Sequence, residues 1–330
     1  MFQTMKSVSI NIVEGGDYSP QSGPLEMALL EVKKNVAKSG INLNYAIKRR
    51  RDIRADADMT PFSLAKWLTD ADAHIIATHP SQANTHFWNV TDVIDALETL
   101  KKHPGFPRND QIECPVFTQH KYKYLNLLPK YMITPTHAVS LNFPGQLGAT
   151  ELESLTSFLT ENDEGHGWIV KLPFVTNGDK MHTCKTLEMV VHTIENYPIS
   201  ASGIPYCMVQ PRLENTKEYK LVFVGETFSH IIPNAKGTGE GFCDENMLKA
   251  FAVAAIVSIK SSCPETITDG LFRVDIMKRA NGNLVVNEFE SLEAVAYSRM
   301  HRSHEQLIVS FLENYWIAIV GKIVDELVAH

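Results

Sequence analysis

The sequence predicts a protein of several lobes, with an α/β lobe first and α+β structure after it. Its 330 residues exceed one typical domain of about 100–200 residues, so two or three lobes around a shared site are expected. The first third alternates strand patterns with helical periodicity, which is typical of a parallel sheet. The remaining two thirds contain strand patterns separated by turns, which are typical of antiparallel hairpins.

Strands and helices alternate through the first third of the chain. Apolar spacing predicts, in order, a strand at 8–13, a helix at 24–38, strands at 41–47 and 73–78, and a helix at 90–102. Ligand loops of parallel sheets follow the carboxyl ends of the strands. The segments 15–17 and 79–81 are therefore either crevice loops or plain tight turns.

The rest of the chain predicts helices among antiparallel strands. The predicted strands cover 114–118, 168–172, 206–210, 219–224, 227–232, 271–277 and 284–289, and the predicted helices cover the segment around Lys121 and Lys123, then 151–160, 185–197 and 245–259. A turn over 280–283 would let the last two strands pair. The apolar segment 307–328 contains four charged residues and predicts a long packed helix instead of a membrane span.

Composition excludes several classes of protein. Hydrophobic residues make up 44% and charged residues 21% of the chain, unlike the values of disordered or collagen-like chains. The net charge of −7 offers no bulk attraction to nucleic acids or anionic membranes. Five scattered cysteines without a CxxC pair, and no basic leader followed by an apolar segment, favour a reducing cytoplasm.

Two further patterns give little support to other kinds of site. The basic run at 48–51 lacks the interleaved aromatic residues of a nucleic-acid groove, and a solvated surface explains it more simply. The thirteen histidines form neither HExxH nor HxH, so a histidine-ligated metal is not indicated.

The last hairpin carries the strongest chemical signal. Arg273 and Asp275 lie two residues apart on one predicted strand and share a face, as do Glu288 and Glu290 on its partner. Pairing across the turn would gather three carboxylates and a guanidinium. Because like charges opposite one another destabilise a sheet, either magnesium and phosphate neutralise this face or the hairpin is an exposed, salt-bridged surface.

These strands resemble the nucleotide site of the ATP-grasp superfamily, which includes D-alanine:D-alanine ligase and tubulin–tyrosine ligase. There an R-x-D segment precedes a hydrophobic run and an E-x-N segment; here Glu288 follows Asp275 by 13 positions. The resemblance implies that Asp275, Glu288 and Glu290 bind magnesium and that Arg273 contacts a phosphate oxygen. Glu290 stands where asparagine is commonest, which adds a charge and favours two bound cations.

The resemblance extends over residues 115–295, with further motifs in the family order. It implies that Lys121, or alternatively Lys123, binds phosphate from the start of a helix. Lys171, in a strand similar to the family's V-V-K-P segment, would reach the α- and β-phosphates. Residues 176–179 would form a flap over the phosphates, although this segment has fewer glycines than usual.

The resemblance also implies an adenine site and a ribose site. A segment similar to the family's interlobe hinge offers Gln210, Arg212 and Leu213 as adenine contacts, with Gln210 in place of the commoner acid. Glu218 matches the glutamate that commonly holds the ribose hydroxyls.

Two loops depart from the family pattern. The loop at 291–294 lacks the usual Pro-Gly, which in many relatives helps to shape the acceptor site, so the acceptor is not identified. The glycine-containing segment 236–241 lies outside any βαβ unit and is expected to be a mobile loop near the site entrance.

The resemblance implies a three-lobed fold with ATP between the last two lobes. The lobes would cover residues 1–115, 116–205 and 206–330, the last carrying the metal site and the long terminal helix. The implied enzyme uses ATP and two magnesium ions to join a small-molecule or peptide carboxylate to an amine. It would act through an acylphosphate and release ADP and phosphate.

Two alternatives stay open. A hydroxyl acceptor would make the protein a small-molecule kinase, with residues 48–51 binding an anionic substrate such as an inositol phosphate. The second alternative is a nucleotide-binding protein that catalyses no reaction, but such a protein would not need a complete set of phosphate-binding and metal-binding residues. We expect a cytoplasmic location without nucleic-acid or membrane partners; a homodimer stays open, and no general base is identifiable.

Overall fold

The computed structural model describes residues 6–15, 22–78, 88, 90–118, 120–140, 147–173, 181–197, 206–213, 216–232, 244–264, 270–291 and 302–329. The strands among these residues form three four-stranded sheets. The first sheet has the order β2-β1-β3-β4 and is parallel throughout. Its strands are β1 (Lys6–Glu14), β2 (Ile41–Arg49), β3 (Ala73–Ile76) and β4 (Gly105–Phe106). The parallel α/β lobe predicted for the first third is confirmed.

Helices lie between the strands of this first sheet and after its last strand. They are α1 (Ser22–Ala37), α2 (Arg50–Ala55), α3 (Pro61–Thr69), α4 (Val90–Leu100) and α5 (Asn109–Ile112). Helix α3 begins where the Thr60 hydroxyl accepts a hydrogen bond from the Ser63 N–H at 3.0 Å. The sequence pattern predicts α1 and α4, whereas α2, α3 and α5 are additional.

The strand predicted at 114–118 is wrong. This segment forms turns, in which the Thr118 N–H donates to the Cys114 carbonyl and the His120 N–H donates to the Pro115 carbonyl. Pro115 has no N–H to offer to a strand ladder, so the apolar run is buried as a turn instead.

The second, central sheet is antiparallel, with the order β5-β8-β6-β7. It consists of β5 (His137–Ser140), β6 (Trp168–Lys171), β7 (His182–Cys184) and β8 (Tyr206–Pro211). Helix α6 (Lys121–Leu125) precedes the sheet in the chain, and α7 (Ala149–Glu161) and α8 (Leu187–Glu195) pack on it. Trp168 and Val170 pack into the core under this sheet, so Lys171 lies on the opposite face. Strand β8 lies beyond the predicted lobe boundary at residue 205, yet it pairs with β5 and β6 of this sheet. Local sequence patterns do not show such a pairing, because the partner strands are far away in the sequence. The lobe boundaries otherwise stay a prediction.

The third sheet is the predicted set of antiparallel hairpins, in the order β10-β9-β11-β12. It consists of β9 (Lys217–Val224), β10 (Thr227–Ile232), β11 (Leu271–Lys278) and β12 (Leu284–Ser291), followed or interrupted by α9 (Glu245–Ser262) and α10 (Arg302–Ala329). The turn between β11 and β12 places Gly282 at a φ of 89°, a conformation that glycine adopts without strain. The predicted turn and hairpin are confirmed.

The terminal helix α10 is long and apolar. By length and composition alone, its segment Gln306–Ala329 could cross a membrane. One face of the helix is nevertheless buried, at Ile308, Leu312, Trp316 and Val320. This face lies beside α1 of the first lobe. The rings of Trp316 and Phe106 meet edge to face, with their centroids 5.3 Å apart. The helix therefore has the packed face that its sequence predicts.

The buried side chains form two hydrophobic cores. The larger core runs from the parallel sheet through α6 to the third sheet, and the smaller core lies under the central sheet alone. On the other face of the central sheet, Met208 belongs to the larger core. The candidate site lies between that face and the third sheet.

Candidate functional site

The β11–β12 hairpin gathers the four predicted charged residues on one face. Arg273 pairs with Glu290 and Asp275 pairs with Glu288 in the strand register. The register shifts directly after the second pair, so Asn287 is the extra residue of a bulge. The Asn287 side-chain amide donates to Glu218 Oε1 at 2.8 Å and thereby links the bulge to β9.

Arg273 is the centre of this cluster. Its Nε lies 2.6 Å from Asp275 Oδ1, and its Nη2 lies 3.0 Å from both Asp275 Oδ2 and Glu290 Oε1. Burial lowers the pKa of Arg273, but the carboxylates of Asp275 and Glu290 outweigh this effect and raise the pKa above its ordinary value. Burial also raises the pKa of Glu290 to about 7, a shift that Arg273 opposes and Glu288 increases. The cluster is therefore held in a low-dielectric environment.

Lys121 approaches the same carboxylates from α6. Its Nζ lies 2.8 Å from Glu288 Oε1, and its side chain is almost buried. Its backbone N–H donates to the Pro173 carbonyl at 3.0 Å, directly after β6. Lys123, the alternative candidate, is exposed on this short helix. The geometry therefore favours Lys121 over Lys123 as the lysine that faces the site.

Lys171 ends β6 on the face of the central sheet that is turned away from its core. Burial lowers the pKa of Lys171 to about 7, the positive charge of Lys121 adds to this shift, and Glu288 opposes it. Glu288 already supplies one negative charge beside these two lysines. A bound phosphate would supply more and would favour the charged form of Lys171.

Sequence reasoning missed Lys220, which lies on β9 directly opposite Asp275. Its Nζ is 3.2 Å from Asp275 Oδ2 and 3.8 Å from Glu218 Oε2. The available signal was its spacing, because Lys220 lies two positions after Glu218 and must share its face of the strand. Glu218 is thus placed at the edge of the charged cluster.

The predicted hinge residues lie at the end of β8. Gln210 is almost buried, and its side-chain amide donates to Thr136 Oγ1 at 2.6 Å. The Arg212 N–H donates to the Gly167 carbonyl at 2.8 Å, which fixes the chain as it leaves the sheet; Leu213 follows. Gln210 thus lies within the central sheet, and Arg212 and Leu213 directly follow it.

The carboxylates of the hairpin are chemically suited to bind a magnesium ion. Asp275, Glu288 and Glu290 offer the hard oxygen ligands that Mg²⁺ prefers. Among the described residues, however, no three acidic, histidine or cysteine side chains are grouped as a metal site. The three carboxylates are instead ion-paired with Arg273, Lys220 and Lys121. Metal binding stays a prediction that requires some of these pairs to open.

Several predicted segments lie outside the described residues. They are the crevice loop at 79–81, most of the loop at 15–17, the flap at 176–179, the loop at 236–241 and most of the segment 291–294.

Comparison with known proteins gives a result at the level of structure. No family model matches the chain, and no curated protein sequence matches it. The D-cycloserine synthetase DcsG superposes with a TM-score of 0.57 at 16% identity, covering 93% of this chain and 99% of that one. The D-alanine–D-alanine ligase of Coxiella burnetii gives a TM-score of 0.55 at 14% identity and covers 97% of both chains.

A third match is the D-alanine–D-alanine ligase of Bacillus anthracis complexed with ATP. Its TM-score is 0.50 at 16% identity, covering 97% of this chain and 99% of that one. These three matches cover nearly the whole length of each chain, so the similarity extends over the complete fold. The predicted resemblance is confirmed at this level: the chain has the fold of the ATP-grasp ligases.

Proposed function

We propose that this protein is an ATP-dependent carboxylate–amine ligase. The observation that carries the proposal is the meeting of Lys121 and Lys171 with the carboxylates of the β11–β12 hairpin. Lys121 and Arg273 are ion-paired with these carboxylates, and magnesium together with the phosphates of a nucleotide would replace some of those pairs. The fold shared with ligases, one of them complexed with ATP, supports this assignment.

The nucleotide would lie between the central and third sheets. Lys121, Lys171 and Arg273 would bind its phosphates. The ribose hydroxyls would bind Glu218, and the adenine would lie against the chain at Gln210, Arg212 and Leu213. Asp275, Glu288 and Glu290 would hold two Mg²⁺ ions, which shield the negative charge of the phosphates when bound.

The proposed reaction has two steps. A substrate carboxylate oxygen attacks the γ-phosphorus of ATP, and the bond to the bridging oxygen breaks to release ADP. The amine then attacks the acyl carbon of the resulting acylphosphate, and inorganic phosphate leaves with the electrons of the C–O bond. Lys121, Lys171 and Arg273 disperse charge on the transferring group, and the proton lost by the amine goes to solvent or to phosphate.

The structure weakens the main argument for the kinase alternative. That alternative assigns an anionic substrate to the basic run at 48–51. Arg49 is ion-paired with Glu14 and Glu26, and Lys48 lies over the Trp67 ring at 4.8 Å from its centroid. Arg51 also lies 3.6 Å from Asp52, so at least three of the four cations are already engaged, and the ligase is the better supported function.

The proposed substrates are small-molecule or peptide carboxylates and amines, and the proposed location is the cytoplasm. Pools of amino acids and peptides, each incubated with Mg–ATP, provide the test. Release of ADP and phosphate that needs both a carboxylate and an amine is expected. Hydroxylamine should trap the acylphosphate as a hydroxamate. AMP with pyrophosphate would contradict this mechanism, and ADP with a phosphorylated alcohol would establish the kinase alternative.

A further inference from the structure

His120 occupies an unusual position at the start of α6. It is the N-cap of this five-residue helix, where Ser, Thr, Asp and Asn are the preferred residues. Its Nδ1 accepts a hydrogen bond from the Lys123 N–H at 3.3 Å, and its Nε2 is hydrogen-bonded to the Tyr206 hydroxyl. A histidine can therefore cap the helix and also hydrogen-bond to Tyr206, whereas the short side chain of a usual N-cap residue can only cap the helix.

The two contacts fix the tautomer of the imidazole. Because Nδ1 accepts a hydrogen bond, the proton lies on Nε2, which donates to Tyr206 Oη. Burial, together with the charge of Lys123, lowers the pKa of His120 to about 4, so the ring is neutral at physiological pH. The two rings are also stacked, with centroids 5.7 Å apart.

The His120–Tyr206 bond joins helix α6 to strand β8 of the central sheet, whose Met208 also packs in the larger core. Helix α6 belongs to the larger core through Tyr124 and Leu125. Tyr206 lies on β8 and alternates with Cys207, which belongs to the smaller core. Tyr206 therefore shares a sheet face with Met208, and Met208 lies directly opposite Lys171.

The bond thus links the helix that carries Lys121 to the strand that pairs with the strand of Lys171. Lys121 directly follows His120 on α6, while Lys171 lies on the same sheet face as Tyr206. We propose that His120 is a positioning residue: its bond to Tyr206, together with the hydrogen bond from the Lys121 N–H to the Pro173 carbonyl, sets the separation of Lys121 from Lys171 and so tunes the affinity for the triphosphate of ATP. This inference rests on the proposed function, because it assumes that both lysines bind phosphate.

Two substitutions at His120 separate its two contacts. His120→Asn places an oxygen near the position of Nδ1, so it keeps the cap but cannot reach Tyr206. His120→Gln places an amide N–H near the position of Nε2, so it keeps the bond to Tyr206 but loses the cap. Tyr206→Phe removes the bond from the other side and retains the ring. Tyr131→Phe, at a side chain that is 75% exposed, is the matched control.

The experiment measures the Kd of Mg–ATP by calorimetry and the thermal midpoint of each full-length variant. His120→Asn and Tyr206→Phe should each weaken binding by about fivefold to tenfold, the loss expected for one hydrogen bond. The double variant should bind no more weakly than either one. His120→Gln should melt at a lower temperature yet bind Mg–ATP nearly as tightly as the wild type. Tyr131→Phe should match the wild type in both measurements.

The outcomes distinguish the inference from the proposed function. If the wild type binds Mg–ATP and His120→Asn and Tyr206→Phe bind it equally well, the positioning role is overturned and the proposed function stands. If His120→Gln loses affinity while His120→Asn keeps it, the cap and not the bond matters, and the inference is overturned. If the wild type does not bind Mg–ATP, both fail.

Discussion

Two arginine clusters in this molecule look alike and differ in their surroundings. In the first lobe, Arg49 pairs with the buried Glu14 and the exposed Glu26. In the third sheet, Arg273 pairs with the buried Asp275 and with Glu290. The Arg49 side chain is 31% exposed, whereas that of Arg273 is 5% exposed. The second cluster is also surrounded by Glu288 and three lysines.

The comparison shows what distinguishes a candidate site from an ordinary ion pair. The Arg49 cluster sits beside the parallel sheet and links β1, β2 and α1. The Arg273 cluster contains ionisable groups besides Arg273 and its two carboxylate partners. In this cluster, the pKa values of Lys171 and Glu290 are shifted towards 7. Perturbed groups from several elements that converge on one face are typical of functional sites. The first cluster should therefore affect stability, and the second should affect activity.

The largest expected effect is on turnover, through Glu288→Gln. Removing one proposed metal ligand should lower kcat by about 10²- to 10³-fold, comparable to the loss of one charge-stabilising group in other active sites. The fold should persist, because the lost pairing with Lys121 is offset by weaker repulsion from the neighbouring carboxylates. Glu26→Gln, the same change at the first cluster, is the control and should leave kcat unchanged. Equal kcat values in both variants would remove the distinction between the clusters.

The next effect is on stability, through Arg49→Ala. This change leaves Glu14 buried without its partner and should lower the free energy of unfolding by about 2–3 kcal/mol, a value reduced for the partial exposure of Arg49. The affinity for Mg–ATP should not change. Arg51→Ala, at an exposed side chain 3.6 Å from Asp52, should alter stability little and serves as the control. An undiminished denaturant midpoint in Arg49→Ala would contradict the structural role of this cluster.

A smaller effect concerns the pH dependence of nucleotide binding. The pKa of Lys171 is lowered from 10.5 to about 7, so the free folded protein loses this proton above pH 7 while the unfolded chain keeps it. Stability without ligand should therefore rise with pH between about 7 and 10.5. Bound phosphate favours the charged lysine, so binding at higher pH requires proton uptake.

We accordingly expect the Kd of Mg–ATP to increase by up to about tenfold per pH unit from pH 7.5 to 9.5. Calorimetry in two buffers of different ionisation enthalpy should show proton uptake over this range. Lys171→Arg should lose the pH dependence, because an arginine stays charged. A Kd that is independent of pH in the wild type would show that Lys171 does not contact the nucleotide.

Local patterns in the sequence predicted much of the fold. The alternation of Val8, Ile10 and Ile12 predicted β1, and the two-residue spacings predicted the shared faces of the β11–β12 hairpin. The sequence also showed that Arg273 and Asp275 would lie together. These features depend on neighbours along the chain or across one short turn, so periodicity is sufficient to find them.

Features that depend on distant partners were missed. The membership of β8 in the central sheet, the position of Lys220 opposite Asp275 and the His120–Tyr206 bond all join segments far apart in sequence. The strand predicted at 114–118 failed for a local reason, since Pro115 interrupts the run. The ion pairs of the hairpin carboxylates with lysines were also not predicted, because the lysines approach from other elements.

The most direct test of the account is thermal melting of the full chain with Mg–ATP. Ligand at about 100 times its Kd should stabilise the protein by about 2.7 kcal/mol, which raises the melting temperature measurably. EDTA should abolish most of this rise, because the hairpin carboxylates repel phosphates that no metal shields. Glu26→Gln should keep the rise and Glu288→Gln should lose it. Identical melting of the wild type with and without Mg–ATP would contradict a nucleotide site at the β11–β12 hairpin.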